Sequence, residues 1–323
     1  MNRRRLTLAL MAMTGSLAPL AGQTSFDWLS GAAHPRGMAL ANALVAAADP
    51  AQALGMNPAG LRLVGPKRRI QAGLRLYPAG ISQTMTQLIF PGERQVFGVE
   101  LRSLGYGTFE GYDEQGQRQE DYTASEVLIR GGIMRRIGSS LSVGGSTGVL
   151  FGTLADVRAS AVVWSFGVQL GLARLGTRLG AVVQNQGRFV RTYASTAPSD
   201  KFPSAWLLGL SKTLAHLPMT LYVSGGQDLA TRQLLLRLGG EFKLPRFLVL
   251  RVGLDQGKLD YARGQVSADL FSGLSVGFGT QTLGPSASAT GPGKRLSGLT
   301  FDGAVKLLGP LGMSSSFALA LRF

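Results

Sequence analysis

Only two histidines, His34 and His216, are available to this chain as general bases near neutral pH. A hydrolase would need one of them within hydrogen-bond reach of a Ser or Asp nucleophile. His34 precedes Pro35 in an N-terminal region without repeating pattern, and His216 sits in the tight turn His216-Leu217-Pro218, so neither is placed for that work. Asp113, Glu114, Glu120 and Asp121 surround Gly116 and offer the hard oxygens that calcium prefers, but their spacing matches no calcium loop and reads as a solvated hairpin tip. Gly291-Pro292-Gly293-Lys294-Arg295 is a poor phosphate loop, with Ser288 where glycine is needed and Arg295 where Ser or Thr would hold magnesium. The chain has no cysteine, which excludes disulfides, thiolate metal sites and a lipoprotein anchor. No catalytic residue, metal or cofactor is therefore expected.

More informative are single charges set into otherwise apolar segments: Arg75, Glu100, Arg102, Arg130, Arg237, Glu241, Arg251 and Lys306. Each lies on the polar side of a stretch that alternates with period two, the pattern of a strand facing two environments. In the last stretch Met313, Ser315, Phe317, Leu319, Leu321 and Phe323 share one face, and Ser314, Ser316, Ala318, Ala320 and Arg322 the other. If the apolar face meets lipid, a cation placed there would cost about 2–4 kcal/mol at the bilayer midplane. The charges are therefore expected to face a lumen, where they either form ion-pair ladders that brace the wall or bias a pore toward anions.

Fourteen such stretches follow Lys67: 67–77, 80–90, 94–105, 122–136, 139–153, 157–173, 176–188, 203–213, 218–227, 231–243, 246–255, 265–281, 295–307 and 312–323. Each approaches or exceeds the ~9–11 tilted residues that cross a bilayer, and an even number returns both ends to one side. Tight turns at Pro91-Gly92-Glu93, Gly138, Leu175-Gly176, 216–218 and Pro245-Arg246 alternate with longer connections at 106–121, 189–202 and 256–264. Tyr106, Tyr112 and Tyr122 would mark the outer headgroup level. The segment 284–294 is a long connection on the short-turn side and breaks the pattern. Composition agrees: 45% of residues are apolar and only 16% charged, with no uninterrupted spanning helix in the mature chain, and 45 glycines suit strands that curve or approach closely. The fold class expected is all-β, a transmembrane antiparallel β-barrel of about 14 strands with a short helical N-terminal hatch.

The N-terminus carries Arg3, Arg4 and Arg5, an apolar run from Leu6 to Leu20, and small residues at Ala21 and Gly22, the plan of a cleavable signal peptide over 1–22. Residues 23–66 do not alternate and are expected to plug the barrel, with a helix over Met38 to Ala48 and a turn at Asn57-Pro58-Ala59-Gly60. That turn either fixes the plug, Asn57 bonding its local backbone, or gates a path to the lumen. Residues 67–323 form the barrel. The formal charge of +15 falls to +12 without the three leader arginines. Its arginines are scattered singly, without interleaved stacking aromatics, so nucleic acid is not expected as a partner and anionic lipid headgroups are.

The stretch Pro35-Arg36-Gly37-Met38-Ala39-Leu40-Ala41-Asn42-Ala43, then Ala48-Asp49-Pro50, then Asn57-Pro58-Ala59-Gly60-Leu61 resembles the N-terminal signature of the PorV/PorQ outer-membrane proteins. Leu208 to Leu214, Leu238 to Phe242 and Leu250 to Leu254 are similar to PorQ segments. These proteins are relatives of the FadL hydrophobic-compound transporters, barrels of fourteen strands with a hatch bearing an Asn-Pro-Ala turn. The resemblance implies a non-enzymatic component of protein secretion or surface attachment of the type IX kind, with a secretion translocon and cargo proteins as partners. The alternative is a FadL-like channel for small hydrophobic compounds. Phe323, a terminal aromatic on an alternating strand, resembles the signal read by the barrel-assembly machinery. The location implied is the bacterial outer membrane, among its lipid and lipopolysaccharide.

Overall fold

A computed structural model of the chain describes residues 25–48, 50–64, 66–113, 115–193, 201–245, 247–255, 272–281 and 298–323. The leader expected over 1–22 and the segment 284–294 lie outside the described residues. Fourteen strands form one closed antiparallel barrel in which each strand pairs with its sequence neighbours. They are β1 (Arg69–Leu76), β2 (Ser82–Pro91), β3 (Gln95–Tyr112), β4 (Arg118–Ile137) and β5 (Leu141–Leu154). Then come β6 (Val157–Leu172), β7 (Thr177–Arg191), β8 (Ala205–Thr213), β9 (Met219–Asp228) and β10 (Leu234–Lys243). The last four are β11 (Leu248–Asp255), β12 (Leu274–Thr280), β13 (Leu299–Leu307) and β14 (Met313–Arg322). The barrel closes where β1 meets β14, from Arg69 opposite Arg322 to Leu76 opposite Ser315. The Phe323 amide donates to the Arg68 carbonyl and ties off that seam, leaving the Phe323 side chain outside.

Alternation in the sequence becomes the two sides of the wall. Along β3, Phe97, Val99 and Leu101 are about half exposed and point outward, while Val96, Glu100, Arg102 and Leu104 are buried within. The same division runs along β14, with Phe317 and Leu319 outside and Ser314, Ser316, Ala318 and Ala320 inside. Among the described residues no helix is long and apolar enough to cross a membrane; crossing by strands needs none, because the closed ladder satisfies the backbone of every strand. At one end of the barrel the connections are tight, and glycine in the left-handed region, φ 62° at Gly138 and 57° at Gly176, makes two of them possible. This is the turn end, and it also carries both ends of the strand series; the other is the loop end.

The connection expected over 106–121 is mostly strand. β3 runs to Tyr112 and β4 starts at Arg118, so the hairpin stands well beyond the expected rim. Polar residues on both of its faces suit water, and the ladder continues there because it still satisfies the backbone. Asp113 organises the tip: its carboxylate accepts from the amides of Gln115 and Gln117 and from Gln119 Nε2, and these bonds hold it below its ordinary carboxylate range. Tyr106 does not mark the outer headgroup level. It turns inward and donates to Glu126 at 3.3 Å.

The N-terminal residues fill the lumen. Short helices α1 (Pro35–Ala39) and α2 (Pro50–Met56) alternate with 3-10 turns at Asp27–Ser30 and Pro58–Val64. The helix expected over Met38 to Ala48 does not form. α1 stops at Ala39, and Ala41 and Asn42 take left-handed φ of 49° and 60°, so the chain turns back along the wall. The next helix starts at Pro50, whose ring suits a first helical turn.

The wall is cut away to receive this plug. Nine strands carry a glycine facing it, and eight of these glycines are cross-strand partners: Gly98 with Gly132, Gly144 with Gly167, Gly180 with Gly209, and Gly239 with Gly253. A Cβ at Gly144 would sit 2.5 Å from the Pro58 carbonyl carbon, and one at Gly180 2.5 Å from the Val45 oxygen. Gly277, the ninth, faces Ala39. Gly144→Val should therefore cost about 1–3 kcal/mol as overpacking. Gly131→Ala, with nothing within 4 Å of the added carbon, should stay within about 0.5 kcal/mol. Denaturant midpoints of the folded barrel in detergent check both, and equal midpoints would refute the close-approach account.

Candidate functional site

The lumen has three storeys. Toward the loop end is a packed aromatic cluster, with Phe26 from the plug stacked on Phe189 and Phe202 at 5.9 and 6.1 Å between ring centroids and those two 4.5 Å apart. Trp28, Leu104, Leu128, Leu150 and Ala161 close its sides. One carboxylate reaches it: Glu126 accepts from Trp28 Nε1 and from the Tyr106 hydroxyl. Gly187 makes room for Phe202, whose ring would meet a Cβ there at 2.7 Å.

The middle storey is the clamp between plug and wall. Asn57 is fully buried, and its Nδ2 donates to Val45 O at 2.8 Å and to the β6 carbonyl of Val168 at 3.2 Å. Its Oδ1 accepts from the Ala59 amide at 3.1 Å, the local bond expected of the turn. Pro58 lies against Gly144, Ala59 is fully buried, and Gly60 meets Ala48, where a Cβ would sit 2.8 Å from the alanine Cβ. Wall arginines reach in from the other side. Arg75 donates to Ser314 Oγ at 2.9 Å and to Ala32 O at 3.2 Å, and Arg102 lies 4.7 Å over the Trp28 ring. Arg130 donates to Leu54 O at 3.2 Å and to Asn185 Oδ1 at 3.1 Å. Glu100 is 0% exposed and opposite Arg130 in the ladder, with no hydrogen bond to either carboxylate oxygen, so the Coulomb field of Arg102 and Arg130 balances it. Arg237 is buried on the same inner surface.

The third storey, toward the turn end, holds a chain of buried ion pairs. Arg36 Nε and Arg251 Nε both donate to Glu241 Oε2 at 2.8 Å, and Arg251 Nη1 donates to Asp302 at 2.5 Å. Tyr222 adds its hydroxyl to Glu241 at 3.2 Å. A separate pair lies at the loop end, where Lys306 stands 3.5 Å from Asp255.

The eight charges singled out from the sequence thus all lie on the inner surface, but they do not form one ladder. Glu241 and Arg251 do; Arg75, Arg102 and Arg130 bond plug carbonyls instead. Sequence reasoning missed Arg36, Asn185 and Glu126. Arg36 sits inside the Pro35 to Ala43 stretch and could have been read as a buried plug charge. Asn185 marks a bulge, where Gln184 and Asn185 oppose Ser165 alone with Asn185 at φ 52°, and only the Gln184-Asn185-Gln186 run hints at it. His34 caps α1, its Nδ1 accepting from the Arg36 amide at 3.2 Å.

Asn57→Ala removes the clamp and strands several buried groups, at an expected cost of about 2–3 kcal/mol. Faster proteolysis of the plug than of the barrel is the readout, and unchanged cleavage would show that Asn57 does not hold it. Glu241→Gln leaves Arg36 and Arg251 short of negative charge and should cost roughly 3–5 kcal/mol. A guanidinium titration of the folded fraction measures it, and a midpoint like wild type would sink the account of that chain.

No family model and no curated protein matches this sequence. Solved structures do match. The toluene transporter TbuX of Ralstonia pickettii aligns over 90% of this chain and 97% of its own at 14% identity, with a TM-score of 0.57. The toluene transporter TodX of Pseudomonas putida aligns over 90% and 96% at 13% identity, also with a TM-score of 0.57. A Pseudomonas aeruginosa FadL homologue aligns over 94% and 99% at 12% identity and 0.54. Identities this low compare the fold alone, and the fold shared is the closed antiparallel β-barrel, in this chain fourteen strands with a few short helices.

Proposed function

We propose that this protein is a non-enzymatic channel of the bacterial outer membrane that admits small hydrophobic compounds. The observation that carries the reading is the aromatic cluster at the loop end of the plug, where Phe26, Phe189 and Phe202 gather apolar, π-rich area inside the barrel. Such surfaces retain apolar solutes by burying their area, at about 25 cal/mol per Å². The matched barrels named as toluene transporters support the same reading by analogy of fold. The outward band of Leu, Val, Ile and Phe supports a membrane setting. The secretion role implied by the PorV/PorQ resemblance ranks second, since none of the barrels compared above is named for secretion.

Proteoliposomes loaded with the full mature chain and exposed to labelled toluene test the proposal. Uptake should exceed that of empty vesicles, and Phe189→Ala with Phe202→Ala, which removes two rings of the cluster, should bring it back toward the empty-vesicle rate while the barrel stays folded. Uptake no faster than empty vesicles, together with co-purification of translocon or cargo proteins from outer membranes, would move the assignment to secretion.

A further inference from the structure

Below the plug the turn end holds a cavity of ≈ 790 Å³, within the roughly 300–1,000 Å³ typical of small-molecule sites. Seven basic residues and two carboxylates line it, an excess of five positive charges, seven less two, among the described residues. Both carboxylates are already engaged, Glu241 by Arg36 and Arg251 and Asp302 by Arg251. The excess therefore belongs to the rest of the mouth.

Two of those cations, Arg62 and Arg178, stand at the flank made by the β4–β5 and β6–β7 turns, while Arg69, Lys243 and Arg322 line the rest. Arg62 leaves the plug there and donates to the Ser139 carbonyl. Arg136 stands behind it, its Nη2 donating to the Arg62 carbonyl at 3.4 Å. Arg178 completes the group from β7. Burial first, and then the positive charges of Arg136 and Arg178, push the Arg62 guanidinium below its ordinary value. Arg62 Nη1 and Arg136 Nε are both shielded from solvent with no hydrogen-bond partner among the described residues. Three guanidiniums gathered this way repel one another, and an anion held among them would relieve that repulsion.

We propose that this vestibule binds a phosphate group, carried by a small soluble molecule, between Arg62 and Arg178. A phosphate dianion carries charge and oxygens enough for two guanidiniums, whereas a carboxylate is satisfied by one. The Ser139 and Ser140 hydroxyls line the same flank and supply neutral donors. The plug behind the site is low-dielectric and focuses the field into the mouth. This site is independent of the aromatic cluster: a different storey, opposite polarity, a different ligand.

Calorimetric titration of the full mature barrel in neutral detergent with glycerol 3-phosphate tests it. Saturable binding is expected, weakening as salt rises, and Arg62→Gln with Arg178→Gln should lose about tenfold or more in affinity. Arg178→Gln alone, on an exposed side chain that the fold does not need, should lose part of it. Arg118→Gln, at the far hairpin, should bind like wild type. No saturable binding to glycerol 3-phosphate in detergent and none to phosphatidylglycerol vesicles, or equal affinity in the double variant, would overturn the proposal. Binding to those vesicles alone, still lost in the double variant, would keep the phosphate site and identify a lipid headgroup as its source. Toluene uptake by the same variants separates this result from the channel reading, because neither arginine belongs to the aromatic cluster.

Discussion

A strand that shows one side to hydrocarbon can keep charge only on its other side, and the rest of this structure follows from how that inner side is satisfied. Eight wall charges are turned inward and away from water. Left unpaired, each would carry a desolvation cost of several kcal/mol. The wall meets that cost from its own resources where Arg251 lies between Glu241 and Asp302 and where Lys306 stands beside Asp255. Elsewhere the plug supplies the partners, with carbonyls of Trp28, Ala32 and Leu54 receiving Arg102, Arg75 and Arg130. Plug and barrel are one electrostatic unit.

Contact at that distance requires the backbones to approach closely, which accounts for two compositional features at once. The wall presents paired glycines, and the plug presents alanines and short turns to meet them. A plug of long regular helix would hold its backbone away behind side chains. Two short helices linked by turns bring carbonyls such as those of Val45 and Leu54 to the surface, where Asn57, Arg130 and Ser146 bond them.

The plug also divides the lumen into compartments of opposite character. Phe26 and Trp28 precede its clamped part and build the aromatic cluster, while Arg36 and Arg62 face the basic vestibule.

Barrel and strand number were legible in the sequence because alternation has a period of two, and each residue then reports its own environment without reference to distant ones. That is why the inward side of Arg75, Glu100 or Lys306 could be read from its neighbours alone. The same rule located the strand cores but not their ends. β3 and β4 continue to Tyr112 and Arg118 because a ladder in water obeys the backbone rather than the lipid. Partners were decided only by tertiary structure. Whether Arg130 meets a wall carboxylate or the Leu54 carbonyl depends on where residues distant in sequence are carried by the closing of fourteen strands, and so does the gathering of Arg62, Arg136 and Arg178. Periodicity is local and survives in the sequence, whereas pairing across a lumen is set by barrel closure and plug path, which no short window of residues contains.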